Sequence, residues 1–170
     1  MDIEEYASQT KLTAKYPGSG LKDGLTYVAL GMIGETGEVA EHIKKMMRDD
    51  DFFLTEDRRE KLVKELGDVM WYWSEGRRCL GVAPPTRAPV VPAGRLDLAK
   101  IVFRMAESAS VFASTRGDST RRNHLSLILD CVVMSCDRLG VTIEHVMEQN
   151  ALKLQRRLAE NKISGSGSDR

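Results

Sequence analysis

Two short stretches carry residues able to do chemistry together. In 31–45, GMIGETGEVAEHIKK, Glu35 and Glu38 stand three apart, and in 61–73, KLVKELGDVMWYW, Glu65 and Asp68 repeat the spacing. Residues three apart are neighbours on a helix surface. Two such helices packed face to face would gather four carboxylates around one small space. An all-oxygen donor set suits a hard cation, so Mg²⁺ is the expected ion, with Mn²⁺ able to substitute.

Position separates these acids from ordinary surface charge. Val28, Met32, Val39, Ile43 and Met46 line one helical stripe, and at about 100° per residue Glu35 falls within roughly 20° of its centre. A carboxylate aimed at a core must find a metal, a base or a donor, because burying it unpaired costs several kcal/mol. Glu38 sits at the edge of the same stripe. In the second stretch Leu62, Leu66, Val69 and Trp73 form the apolar stripe, flanked by Lys61, Glu65, Asp68 and Tyr72. One Glu-x-x-Glu pair alone is the mark of a solvated helix face. Two pairs, one with a member in a core stripe, point to a site. Gly31, Gly34 and Gly37 recur within the first stretch, each costing about 1 kcal/mol relative to alanine, so close approach to that backbone is expected.

The elements that must position these residues read as helices throughout. The first is expected over Asp2 to Lys15, ended by Pro17, Gly18 and Gly20, and the second over about 23–48. Thr55 is a fitting cap for the third, with Arg58 where a capping box would want Glu, and that helix should run to about Leu80. Residues 81–94, GVAPPTRAPVVPAG, hold four prolines, which no helix interior tolerates. Beyond them Leu98, Ile101, Val102, Met105, Ala109 and Phe112 mark one amphipathic helix, and Leu125, Ile128, Val132, Cys136 and Leu139 another, with Arg116 to Thr120 as the polar turn between. In the last helix, capped by Thr142, the stripe Ile143, Met147, Leu154 and Leu158 has Asn150 at its centre and Lys153 and Arg157 towards one edge. A core amide needs partners. Residues 163–170, ISGSGSDR, read as a flexible tail.

Glu35-x-x-Glu38 and Glu65-x-x-Asp68, set in GETGEVAEHIKK and EKLVKELGDVMWY, resemble the MazG-type branch of the all-α nucleoside triphosphate pyrophosphohydrolases. The flanking YASQTKLTAKYP and LGVTIEHVMEQNALKL are similar to the same family's outer helices. LGV occurs at 80–82 and again at 139–141. In the family pattern one such segment leads straight into the final helix, so 83–136 is expected to be an inserted helical hairpin. The resemblance implies an all-α helical bundle, one domain over 1–162, and assembly as a homodimer or homotetramer. It also implies Mg²⁺-dependent hydrolysis of a nucleoside triphosphate between the α and β phosphates, giving monophosphate and pyrophosphate.

On that resemblance, Glu35, Glu38, Glu65 and Asp68 would hold the metal, and Glu38 would also orient or deprotonate the attacking water. Lys61, Lys153 and Arg157 would stabilise phosphate charge, Asn150 would position substrate, and Lys44 and Lys45 would be further phosphate contacts. Tyr72, on the same face as Glu65 and Asp68, is a candidate to stack on the base, with core or interface packing as its other reading. Trp71 points away from stripe and acids and is expected against the insertion or a second subunit.

Other classes find less support. The 170 residues carry a formal net charge of zero, which argues against nucleic-acid or anionic-membrane partners held by charge. No apolar run approaches a membrane span. Cys79, Cys131 and Cys136 lack Cys-x-x-Cys spacing and suit reduced thiols in the cytoplasm. His42, His124 and His145 do not form the Glu-x-x-His signature of di-iron bundles, and no P-loop motif occurs. A narrower dUTP or phosphoribosyl-ATP hydrolase would use the same metal cluster, and a non-catalytic scaffold would keep the bundle without turnover.

Overall fold

The structure is a computed structural model that describes residues 1–94 and 96–162. The expected 163–170 tail lies outside the described residues. Among those described there are six α-helices, one short 3₁₀ turn at Lys22–Gly24 and no strand. The helices are α1 (Ile3–Thr13), α2 (Leu25–Asp49), α3 (Glu56–Cys79), α4 (Leu98–Ser114), α5 (Asp118–Leu139) and α6 (Ile143–Ala159).

Local chemistry sets their starts. Asp2, Thr55, Asp97 and Thr142 each accept a hydrogen bond from the backbone N–H three residues on, satisfying one of the open donors of a first turn. Both threonines are the residues whose type suggested a cap. The proline-bearing segment after α3 stays non-helical, and Arg138 of α5 pins its far end by donating to the Leu96 and Gly94 carbonyls at 2.8 and 2.5 Å.

The core follows the helical periods. Val28, Met32, Val39, Ile43 and Met46 of α2 are buried against Leu62, Leu66, Val69 and Trp73 of α3 and join one continuous apolar cluster. α3 is the hub, touching α1, α2, α5 and α6, while α4 packs on α2 and α5. Ile101, Val102, Met105, Ala109 and Phe112 of α4, with Leu125, Ile128, Val132, Cys136 and Leu139 of α5, are all buried. The fully buried Trp73 joins the two halves by donating its indole N–H to the Leu125 carbonyl at 2.8 Å. No helix among the described residues is long and apolar enough to cross a membrane.

Candidate functional site

Packing α2 along α3 brings three of the four acids together. One carboxylate oxygen from each of Glu35, Glu65 and Asp68 lies within 4.8 Å of the others. Glu35 is drawn inward because it shares its face with Met32 and Val39, and Glu65 is itself buried. Burial, and then the charges of Asp68 and Glu65, push the Glu35 carboxyl up to about 7, with Lys153 partly opposing. Three converging oxygen donors, one of them ionising reluctantly for want of positive charge, fit a hard divalent ion. No sulfur or imidazole belongs to that cluster. His42 stands behind it, its Nε2 3.7 Å from Glu65 Oε1, and burial holds its imidazole below the ordinary value. Glu38 is exposed and outside the close cluster, yet it lines the same cavity.

That cavity, of about 530 Å³, is lined by the acids and by four aromatic rings. Tyr16 and Tyr27 stack at 4.5 Å with planes 5° apart, and Trp71 meets Tyr72 edge-on at 4.9 Å. The rings are held from behind. Trp71 donates its indole N–H to Thr13 Oγ1 at 2.9 Å, and Tyr16 donates its hydroxyl to Glu75 Oε2 at 2.7 Å. Glu75 is wholly buried and also accepts from Arg78, whose Nη2 reaches Ser19 Oγ at 2.5 Å and so ties down the segment carrying Tyr16. Lys15, Lys64 and Arg157 supply positive charge around the lining.

Asp68 is the most heavily engaged acid of the cluster. Lys153 donates to both of its oxygens at 2.5 and 2.6 Å, and Asn150 donates Nδ2 to Oδ1 at 2.8 Å. Asn150 is buried, and its own Oδ1 accepts from the Tyr6 hydroxyl at 2.8 Å.

The structure thus brings Glu35, Glu38, Glu65, Asp68, Tyr72 and Arg157 to one cavity, with Lys153 bound to its edge through Asp68. It does not bring Lys61, which turns back one helical turn to Asp57 at 2.7 Å and stays exposed. Its neighbour Lys64 takes the position, 3.2 Å from Glu65 Oε1. Lys44 and Lys45 both pair with Glu41 and do not line the cavity. Asn150 is not a lining residue of this cavity, because its amide is used up between Tyr6 and Asp68.

Two further expectations are corrected. Trp71 does not face the α4–α5 segment; it packs on Tyr16 and Thr13 at the end of α1 and lines the acid cavity, because the segment after α1 folds back over that side of α3. Of the three glycines only Gly31 is closely approached, by the Tyr72 ring, while nothing faces Gly34 or Gly37 within 4 Å of where a Cβ would stand. The residues that sequence reasoning did not reach are Tyr6, Thr13, Lys15, Tyr16, Tyr27, Lys64 and Gly67. Only Gly67 left a signal, a glycine inside a helix directly before an acid of the pair.

Residues 24–75 match the family model of the MazG nucleotide pyrophosphohydrolase domain, a span that holds α2, most of α3 and all four acids. The gene 37 protein of Mycobacterium phage L5 is 47% identical over 75 residues, which cover 42% of this chain and 66% of that relative. The chain therefore spans just under two thirds of that relative's length, and the relative's name states no activity. No solved structure matches.

Proposed function

We propose that this chain, whose residues 24–75 form a MazG-type domain, is a divalent-metal-dependent nucleotide pyrophosphohydrolase that cleaves a nucleoside triphosphate between its α and β phosphates. The observation that carries the proposal is the convergence of Glu35, Glu65 and Asp68 in one cavity that aromatic rings also line. A triphosphate carries close to four negative charges and would be repelled by such acids alone. Bound among them, Mg²⁺ or Mn²⁺ would supply charge neutralisation, polarisation of the α-phosphate and activation of the attacking water.

The chain's own residues divide the remaining work. Glu35, Glu65 and Asp68 would hold the ion. Glu38, exposed on the cavity lining and outside the close cluster, orients the water and takes its proton. Attack at the α-phosphorus breaks its bond to the bridging oxygen, and the electron pair leaves with pyrophosphate. Lys64, Arg157 and Lys153 offset the charge that develops on the phosphates. The base lies against Tyr27 and Tyr72, where stacking tolerates different ring systems. Behind them Tyr16 and Trp71 are fixed by Glu75 and Thr13, which keeps the wall in place.

The same proposal takes residues 1–162 as one domain with 83–136 inserted, working in the cytoplasm, where the three free and buried cysteines stay reduced. It includes self-association as a homodimer or homotetramer, supported by exposed Leu30, Ile33 and Met47 along the outer side of α2. Sedimentation velocity tests that assembly.

The activity is tested by assaying pyrophosphate and orthophosphate separately over a panel of NTPs, dNTPs, dUTP and phosphoribosyl-ATP, with Mg²⁺ and with EDTA. The expected outcome is metal-dependent pyrophosphate release that Glu38→Gln lowers by about 10²–10⁴-fold, the range for loss of a general base. Folded protein with no turnover on any member of the panel sinks the hydrolase reading in favour of a scaffold.

A further inference from the structure

Behind the acidic cluster three helices meet at one buried point. Tyr6 of α1 is fully buried, with its hydroxyl 2.8 Å from Asn150 Oδ1 on α6 and 3.3 Å from the Gly67 carbonyl on α3. Asn150 then donates to Asp68 at 2.8 Å. A Cβ on Gly67 would stand 2.8 Å from Asn150 Cβ, so glycine is what lets the asparagine come close enough to reach Asp68. The contacts link residues 144 and 82 positions apart, far beyond anything a helical period fixes.

The chemistry of the amide makes the arrangement directional. Its two ends have nearly the same shape, but one accepts and the other donates. If the group were turned over, its oxygen would face the Asp68 carboxylate and repel it. The carboxylate sets the direction, and the phenol, by donating to Oδ1, holds the amide in it from the other end. Burial, and then the charges of Asp68 and Glu75, hold the Tyr6 phenol well above its ordinary value, so it stays protonated and keeps donating. Asp68 in turn has one oxygen held by the asparagine and both by Lys153, leaving a carboxylate of fixed orientation beside Glu35 and Glu65.

We infer that Tyr6 is a positioning residue for the cation site: it fixes the amide of Asn150, which fixes the carboxylate of Asp68. The inference rests on reading Glu35, Glu65 and Asp68 as that site, and the experiment separates the two. Mn²⁺ binding to the full chain is titrated by electron paramagnetic resonance, without nucleotide, for wild type, Tyr6→Phe, Gly67→Ala and Glu65→Gln. Val132→Ala, a core truncation on α5 with no part in the cavity, controls for lost stability. Circular dichroism confirms folding.

Tyr6→Phe and Gly67→Ala are expected to weaken Mn²⁺ binding by about 10–100-fold, the usual effect of removing a partner that orients a ligand, while Val132→Ala leaves it unchanged. Tyr6→Phe keeps the ring and its packing, so a merely structural role would not move the affinity. Wild-type affinity in Tyr6→Phe overturns the inference with the cation site intact. If Tyr6→Phe does not fold, Gly67→Ala displaces the same asparagine from α3, and wild-type affinity in it overturns the inference. Wild type whose Mn²⁺ binding is absent, or is indifferent to Glu65→Gln, overturns the site reading and the inference together.

Discussion

The α2–α3 pair and the α4–α5 pair bury similar apolar stripes but differ in what they do with polar groups. On α5, buried Ser135 donates to the Cys131 carbonyl of its own helix, four residues back, at 2.8 Å. Such a bond satisfies the hydroxyl and shapes nothing beyond its helix. On α3, Glu65, Gly67, Asp68 and Glu75 engage partners on α1, α2, α6 and the segment before α2. One pair of helices supplies bulk to the core, and the other places charge at the cost of burying it. Stability and chemistry should therefore separate under mutation.

The largest effect tests the first half of that statement. Phe112 of α4 is buried and lies against the C-terminal end of α3, 3.5 Å from where a Gly76 Cβ would stand. Phe112→Ala is expected to lower stability by about 3–5 kcal/mol, through lost transfer energy and a residual cavity. Urea unfolding with Mn²⁺ titration below the transition would measure both. If the folded variant also lost Mn²⁺ affinity, the division between the two helix pairs would be wrong.

The converse effect belongs to Glu35. Its folded-state carboxyl is raised from 4.5 to about 7, so between those values the folded protein binds a proton that the unfolded chain releases. By linkage, stability from this group is fully present below about pH 4.5 and is lost as pH rises through about 7. His42, whose folded-state value is lowered, contributes in the opposite direction, so the informative quantity is a difference. Melting temperatures in EDTA are expected to show Glu35→Gln gaining on wild type as pH rises through this window, with Mg²⁺ narrowing the gap. Parallel curves in EDTA would mean that Glu35 is not under the strain its neighbours impose.

Much of this was legible from periodicity. The stripes of α2, α4 and α5 follow from residues such as Val28, Ile101 and Leu125, because apolar spacing reports burial along one helix directly. The same rule placed Glu35 towards the core and paired Glu65 with Asp68. It could not report which residue of another helix stands opposite. Tyr6, Thr13 and Tyr16 reach the site only because α1 and the segment after it close over α3, through contacts about 60 residues apart in the chain. Lysine was the least legible type. Lys61, Lys44 and Lys45 each have an acid within one turn of their own helix, and a long flexible chain takes the near partner.

The smallest effects come from the glycines of α2, and they sharpen the comparison most. Inside an exposed helix a glycine costs about 1 kcal/mol relative to alanine unless something needs the space. At Gly31 the Tyr72 ring needs it, so Gly31→Ala should disturb the aromatic wall and raise KM for nucleotide more than it lowers kcat. At Gly34 and Gly37 nothing stands within 4 Å, so Gly34→Ala and Gly37→Ala should each stabilise an isolated chain by about 0.5–1 kcal/mol. Both glycines lie on the outer side of α2 with Leu30 and Ile33. Measuring unfolding at several protein concentrations distinguishes the two possible reasons for them. Stabilisation at every concentration means that this face is open in solution. Stabilisation in dilute protein that turns to destabilisation in concentrated protein means that a second copy packs against bare backbone there, and sedimentation should then show the alanine variants dissociating.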